Sequence, residues 1–331
     1  MHITIIGGGA WGTTIGQILS DNGHTPLIYD INPHNVEQIL NHQHPTFDLP
    51  LPKNVSATSD IEKAVDFASY FVLAVPTKAM RMVLKTLNTT LKKPAVFINV
   101  SKGIEPKTLK RISEIVYDEM DSANVKGYVA LTGPSHAEEM VLRKLTLLVS
   151  ASEDEVLAKE VQQLFANETY LRVYTSNDLI GCEVGGAVKN AIAVISGAAT
   201  GYNLGENARA AIITRGIVEI IRVVEVMGGK KETAFGLTGI GDLIVTASSE
   251  NSRNFQAGKK LGMGISIETI YHEVKQTIEG FRTIEAMHDL AETHHIELPM
   301  IEVTYEIIFK DLSIKDAMQK LLSRDLKSED F

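Results

Sequence analysis

Short β-branched runs alternate with helix-like stretches through the first half of the chain. Residues 3–6 form one such run, bounded by glycines, and 25–29, 70–75, 95–100 and 128–131 continue the series. Residues 11–22 have helical length and stop at Gly23, which can enter the left-handed conformation that ends helices. Ser59-Asp60-Ile61-Glu62 has the S-x-x-E spacing of a capping box. Apolar strands alternating with helices predict an α/β fold, a doubly wound, mostly parallel sheet with helices on both faces. After Ser176 the period lengthens. Residues 183–199, 206–227 and 282–294 repeat at helical spacing and strand-like runs become scarce, so an all-helical second domain is expected, dividing the chain into 1–187 and 188–331.

Composition narrows the function classes. A chain of 331 residues is too long for one ordinary core, which agrees with two domains. The net charge of −9 speaks against nucleic-acid binding, which needs a basic face, but leaves room for a small anion held by local cations. Cys182 is the only cysteine, so no internal disulfide forms, as suits a reducing cytoplasm. The first residues read as structure and not as a secretion signal, and no stretch is read as approaching the roughly 20 apolar residues of a membrane span. The expected partner is therefore a small molecule, with no nucleic acid and no membrane span; the long apolar stripes of the helical half leave room for a homodimer.

The N-terminus carries the sharpest motif. Gly7-Gly8-Gly9-Ala10-Trp11-Gly12 matches G-x-G-x-x-G between a predicted strand and a predicted helix. The first glycine permits a tight turn, the second lets a pyrophosphate approach the backbone, and the third lets helix and strand pack closely. A turn serving packing alone would leave Asp30 unexplained; it closes the next strand where a carboxylate can accept from ribose hydroxyls. These features predict a Rossmann-type N-terminal domain that binds a dinucleotide, NAD or NADP. Asp30 would repel a 2′-phosphate, no arginine lies between Asp30 and Gln43, and His34 alone is a weak substitute, so NAD is favoured.

Candidate chemistry follows in three places. Asn99-Val100-Ser101-Lys102-Gly103 and Thr132-Gly133-Pro134-Ser135-His136-Ala137-Glu138 each follow a strand-like run and can present polar groups at the sheet end. Lys189 stands among Gly185, Gly186 and Ala187 on an apolar helix, placed either for proton transfer or for snorkelling to water. Asp242 and Thr246 share a helix face, and Asn251-Ser252-Arg253-Asn254 reads either as a phosphate site or as a helix start capped by Ser252.

Taken in order, GGGAWGT, NVSKGIE, GPSHAEE, VGGAVKNAIAV, GLTGIGDLIVT, SRN and EGFR resemble the NAD(P)-dependent glycerol-3-phosphate dehydrogenase family from Gly7 to about Glu279. The resemblance implies reversible reduction of dihydroxyacetone phosphate to sn-glycerol 3-phosphate for phospholipid synthesis. It implies Lys189 as catalytic proton donor and acceptor with Asp242 beside it, and Lys102 as a further catalytic residue close to nicotinamide and substrate. Substrate positions carried over are Lys102, Gly133, Ser135, Lys189, Asn190, Asp242, Thr246, Ser252, Arg253 and Asn254. Cofactor positions are Gly7, Gly9, Ala10, Trp11, Gly12, Asp30, Lys102, Ala137, Arg253 and Glu279; no metal is implied. Members using NADP often carry a basic residue just after the second strand, where this chain has Asp30-Ile31-Asn32. The alternative enzyme is a β-hydroxyacid dehydrogenase acting on a carboxylate, and a non-catalytic nicotinamide-binding regulator is the alternative outside catalysis.

Overall fold

The computed structural model describes residues 1–273 and 278–329. The chain forms two compact units, Met1–Lys102 with Arg111–Leu179, and Gly103–Lys110 with Ile180–Phe331. The expected division at 187/188 falls inside a helix of the second unit, Leu179–Gly201.

The first unit holds the strands β1 (His2–Ile6), β2 (Thr25–Tyr29), β3 (Ser56–Thr58), β4 (Tyr70–Leu73), β5 (Ala95–Asn99), β6 (Val125–Thr132), β7 (Thr146–Ala151) and β8 (Leu171–Ser176). They make one sheet in the order β3-β2-β1-β4-β5-β6-β7-β8. All neighbours run parallel except β6 and β7. β4 and β5 are buried along their whole length, which is why they read as unbroken apolar runs. Around the sheet lie α1 (Ala10–Asp21), α2 (Pro33–Leu40), α3 (Ile61–Phe67), α4 (Thr77–Thr90), α5 (Ile112–Glu119), α6 (Ala137–Met140) and α7 (Glu155–Phe165). Local chemistry sets their starts. Asn32 caps α2 ahead of Pro33, and Asp154 caps α7 by accepting from Val156 and Leu157 N–H.

Two details differ from the sequence reading. Asp60, not Ser59, caps α3, because its longer reach lets one carboxylate oxygen accept from both Glu62 and Lys63 N–H. β3, β7 and β8 were not expected; β3 is too short to show a period, and β8 alternates buried and exposed positions on an edge.

Helices fill the second unit: α8 (Leu179–Gly201), α9 (Glu206–Val226), α10 (Lys231–Ala234), α11 (Asp242–Ala247), α12 (Arg253–Gly262), α13 (Ile267–Glu273), α14 (Glu279–His294), α15 (Pro299–Phe309) and α16 (Ile314–Leu322). Among the described residues no strand follows Ser176. α8 overturns one expectation. By length and composition it could cross a membrane, yet 94% of its apolar window is buried inside the protein. Most of its positions are apolar because it lies in the core of its unit, with Lys189 and Asn190 among the exceptions.

Candidate active site

β1 lies where the strand order reverses, the position at which open α/β sheets bind ligands. Gly7 has φ of +108°, and a Cβ there would meet Ala74 O at 2.6 Å. At Gly12 a Cβ would collide with the carbonyl of Gly7, so both glycines are needed to fold the turn against α1. Gly9 differs. Nothing lies within 4 Å of its missing side chain. It is also the N-cap of α1 and, being a glycine, gives that helix no side-chain cap. An open approach to an uncapped helix start suits a pyrophosphate. Thr77 Oγ1, at the start of α4, and Thr132 Oγ1, at the end of β6, are buried without hydrogen-bond partners among the described residues. Both stand at the ligand edge of the sheet, where a bound polar group could satisfy them. These residues fit a dinucleotide. Ala10 and Trp11 open α1, with Trp11 half-buried against the sheet core.

Lys102 follows β5. Its ammonium donates to Gly133 O at 2.8 Å and to Ser135 Oγ at 3.4 Å, joining the loops after β5 and β6. Ser101 Oγ donates to Val75 O, which ties the same loop to the end of β4. Ala137 begins the short α6 directly after this loop.

The second unit builds a separate cluster. Lys189 Nζ donates to Asp242 Oδ1 at 2.6 Å and to Thr246 Oγ1 at 2.7 Å. Lys189 is only 5% exposed and Asp242 1%, so this lysine does not snorkel to water. Thr246 spends its proton on Asp242 O and therefore accepts from the lysine. Removing one partner of such a buried pair costs about 3–5 kcal/mol, so the three groups hold one another in place. A π-helical turn, Leu237–Gly241, leads into Asp242; such turns recur at functional sites. Asn190 Oδ1 accepts from Asn254 Nδ2 at 3.0 Å, and Asn254 Oδ1 accepts from Gly280 N at 3.0 Å. This chain of amides joins α8, α12 and the start of α14, where Glu279 stands. Ser252 caps α12 by accepting from Phe255 N. Ser252 thus acts as a cap, its hydroxyl proton still free to be donated elsewhere, and Arg253 opens the helix with its side chain exposed.

The sequence reading missed what sets the spacing of this cluster. Gly197 and Gly201 on α8 face Gly258 and Gly262 on α12, and a methyl at any of the four would overlap a main-chain oxygen of the opposite helix. The two backbones touch with no side chain between them. Glycines four apart on two helices were the available signal.

Comparison with known proteins identifies the family. The sequence model for the NAD-dependent glycerol-3-phosphate dehydrogenase N-terminus matches residues 2–158, and that for its C-terminus matches residues 178–319. The chain belongs to the NAD-dependent glycerol-3-phosphate dehydrogenase family. It is 60% identical over 329 residues to a glycerol-3-phosphate dehydrogenase [NAD(P)+] of Acholeplasma laidlawii, covering 99% of each chain. A protein of the same description from Staphylococcus haemolyticus is 42% identical, again with 99% of each covered. The crystal structure of glycerol-3-phosphate dehydrogenase from Coxiella burnetii superposes with a TM-score of 0.91 at 31% identity, covering 98% of this chain and 99% of that one. A ketopantoate reductase from Ralstonia eutropha, at 18% identity and a TM-score of 0.64, shares the fold alone.

Proposed function

We propose that the protein reversibly reduces dihydroxyacetone phosphate to sn-glycerol 3-phosphate with a nicotinamide dinucleotide, in the cytoplasm and for phospholipid synthesis. The sheet unit binds the dinucleotide and the helical unit binds the substrate. The observation that carries this reading is the buried Lys189–Asp242–Thr246 cluster, an ammonium held at a fixed angle within a unit that matches this family.

The uncapped start of α1 and the open face at Gly9 receive the pyrophosphate. Reduced nicotinamide, when bound, supplies the hydride. Lys189 stabilises the negative charge that builds on the substrate carbonyl oxygen and gives it a proton. Asp242 and Thr246 aim the ammonium, and the carboxylate balances its charge out of water. Arg253, Ser252 and Asn254 at the start of α12 hold the phosphate, so binding energy far from the reacting carbon positions it. Lys102, Gly133 and Ser135 add substrate contacts, and Ala137 and Glu279 cofactor contacts.

The test is NADH oxidation, followed by absorbance, with dihydroxyacetone phosphate and with unphosphorylated dihydroxyacetone. Turnover should require the phosphate. Lys189→Ala should lower kcat by about 100-fold or more, the scale of a lost general acid. A folded Lys189→Ala enzyme with near-normal kcat would remove the lysine from this role.

A further inference from the structure

Lys102 stands at the end of a tight frame that begins at Asn99, the last residue of β5. Asn99 is paired with Leu73 on β4 and with Ala130 on β6, and it is 3% exposed. Its side-chain amide reaches forward along its own chain. Oδ1 accepts from Ser101 N at 3.0 Å, and Nδ2 donates to Ser101 O at 2.9 Å. One amide thus satisfies both main-chain groups of Ser101, as a neighbouring strand would, at the point where the chain leaves the sheet. Because the amide is buried, water is poorly placed to take over its two bonds.

The Ser101 side chain adds a second tie. Its hydroxyl donates to Val75 O at 2.7 Å, with Leu73 O at 3.3 Å as a further acceptor, and Val100 N donates to Leu73 O at 3.1 Å. Residues 100 and 101 are thereby sewn to the end of β4. That end of β4 meets the glycine turn in its other direction: Ala74 N donates to Ile6 O, and Ala74 O fills the space a Cβ would need at Gly7. Beyond the frame, the Lys102 ammonium reaches Gly133 O and Ser135 Oγ after β6. The ends of β1, β4, β5 and β6 are joined in this way, and Lys102 is the outer link.

A lysine carries its charge on a flexible four-carbon stem, so its ammonium keeps one position only if the backbone below it is fixed as well as the tip. Gly133 O and Ser135 Oγ hold the tip. We propose that Asn99 is a positioning residue for the reaction: by clamping Ser101 it fixes the backbone that aims the Lys102 ammonium at the substrate, and the Ser101 hydroxyl assists it. Asn99 acts through the lysine and not on the substrate. Truncating it releases both main-chain groups of Ser101, and the next residue in the chain is the lysine itself. The inference rests on the proposed reaction and deepens it.

The experiment is a double-mutant cycle in kcat/KM for dihydroxyacetone phosphate with NADH, on the full chain, with a thermal melt to show that each protein folds. Its members are the wild type, Asn99→Ala, Lys102→Ala and the double variant. Asn99→Ala should lower kcat/KM by ~10-fold, within the range over which interacting residues couple. In the Lys102→Ala background the same change should cost less than ~2-fold, because the group it positions is gone. An equal loss in both backgrounds is what merely structural damage would give, and it overturns the proposal. So does an unchanged kcat/KM in folded Asn99→Ala. Should Asn99→Ala not fold, Ser101→Ala, which removes only the hydroxyl tie to β4, goes through the same cycle. It should lose ~3-fold or more with Lys102 present and less than ~2-fold without it, and additivity there overturns the proposal as well. A wild type that does not turn over dihydroxyacetone phosphate overturns the reaction, and this role with it; an active wild type with an additive cycle overturns the role alone.

Discussion

Replacing Gly258 by alanine tests whether the contact between α8 and α12 sets the active-site spacing. The added methyl would lie 2.0 Å from Val194 O. Carbon and carbonyl oxygen approach no closer than about 3.3 Å across helices, so the seam must open by roughly 1.3 Å. The Asn254–Asn190 hydrogen bond, one turn away, is 3.0 Å long and passes the ordinary limit after an opening of about 0.5 Å. Arg253 and Asn254 would then shift relative to Lys189 and Asn190 by the order of an ångström, a displacement that can cost about 100-fold in rate. Overpacking of this kind destabilises by about 1–3 kcal/mol, or very roughly 2–4 °C in Tm per kcal/mol. The assay is kcat with dihydroxyacetone phosphate, alongside far-UV circular dichroism and a thermal melt. A Gly258→Ala protein with wild-type kcat and an unshifted melt would show that the seam does not gauge the site.

Gly9→Ala should behave oppositely. It should melt with the wild type, because its Cβ meets nothing within 4 Å and its φ of −76° suits any residue, yet NADH binding should weaken by ~10-fold or more, seen as a raised Kd, because the methyl occupies the space where the backbone would meet a pyrophosphate. Arg253→Ala should raise KM for dihydroxyacetone phosphate by ~10-fold or more with a smaller change in kcat, since it removes a charge-assisted grip far from the reacting carbon; an unchanged KM would discard that role. Glu219, on α9, is 2% exposed and accepts from Met300 and Ile301 N–H at the start of α15; burial pushes its carboxyl up to about 7. Between its ordinary value of 4.5 and about 7 the folded state keeps a proton that the unfolded chain has released, so stability is fullest below that window and falls as pH rises through it, by at most about 3 kcal/mol. Urea midpoints at pH 5 and pH 8 should show the fall in the wild type and a flatter profile in Glu219→Gln; equal slopes would refute it.

Much of this was legible because it is local. Strands β1, β2, β4, β5 and β6 carry apolar runs whose burial on both faces leaves a continuous signal. Lys189 was conspicuous because an ammonium is unusual on so apolar a helix, and the bonds to Asp242 and Thr246 rule out one of its two readings, snorkelling to water. The hydrogen bond from Gly8 N to Asp30 Oδ2, 2.6 Å long, could not be read: the two lie 22 residues apart, and the contact depends on how the end of β2 sets the Asp30 side chain. The same holds for the glycines of α8 and α12, which look like ordinary weak helix positions until the two helices are laid together. Glu219 was invisible for a related reason, since a glutamate on a helix gives no sign that another helix begins above it.

The segment Gly103–Lys110 has a practical consequence. It sits in the chain between β5 and α5 of the sheet unit, yet it belongs to the helical one, with Ile104 fully covered by that unit's apolar cluster and Leu109 packed on it. Cutting the gene between residues 158 and 178, where the two family matches part, would therefore yield an N-terminal fragment with a sticky, orphaned loop and a C-terminal fragment with a hole. Only a split that removes this short segment from the sheet half and grafts it onto the helical half would give two pieces fit to be produced alone.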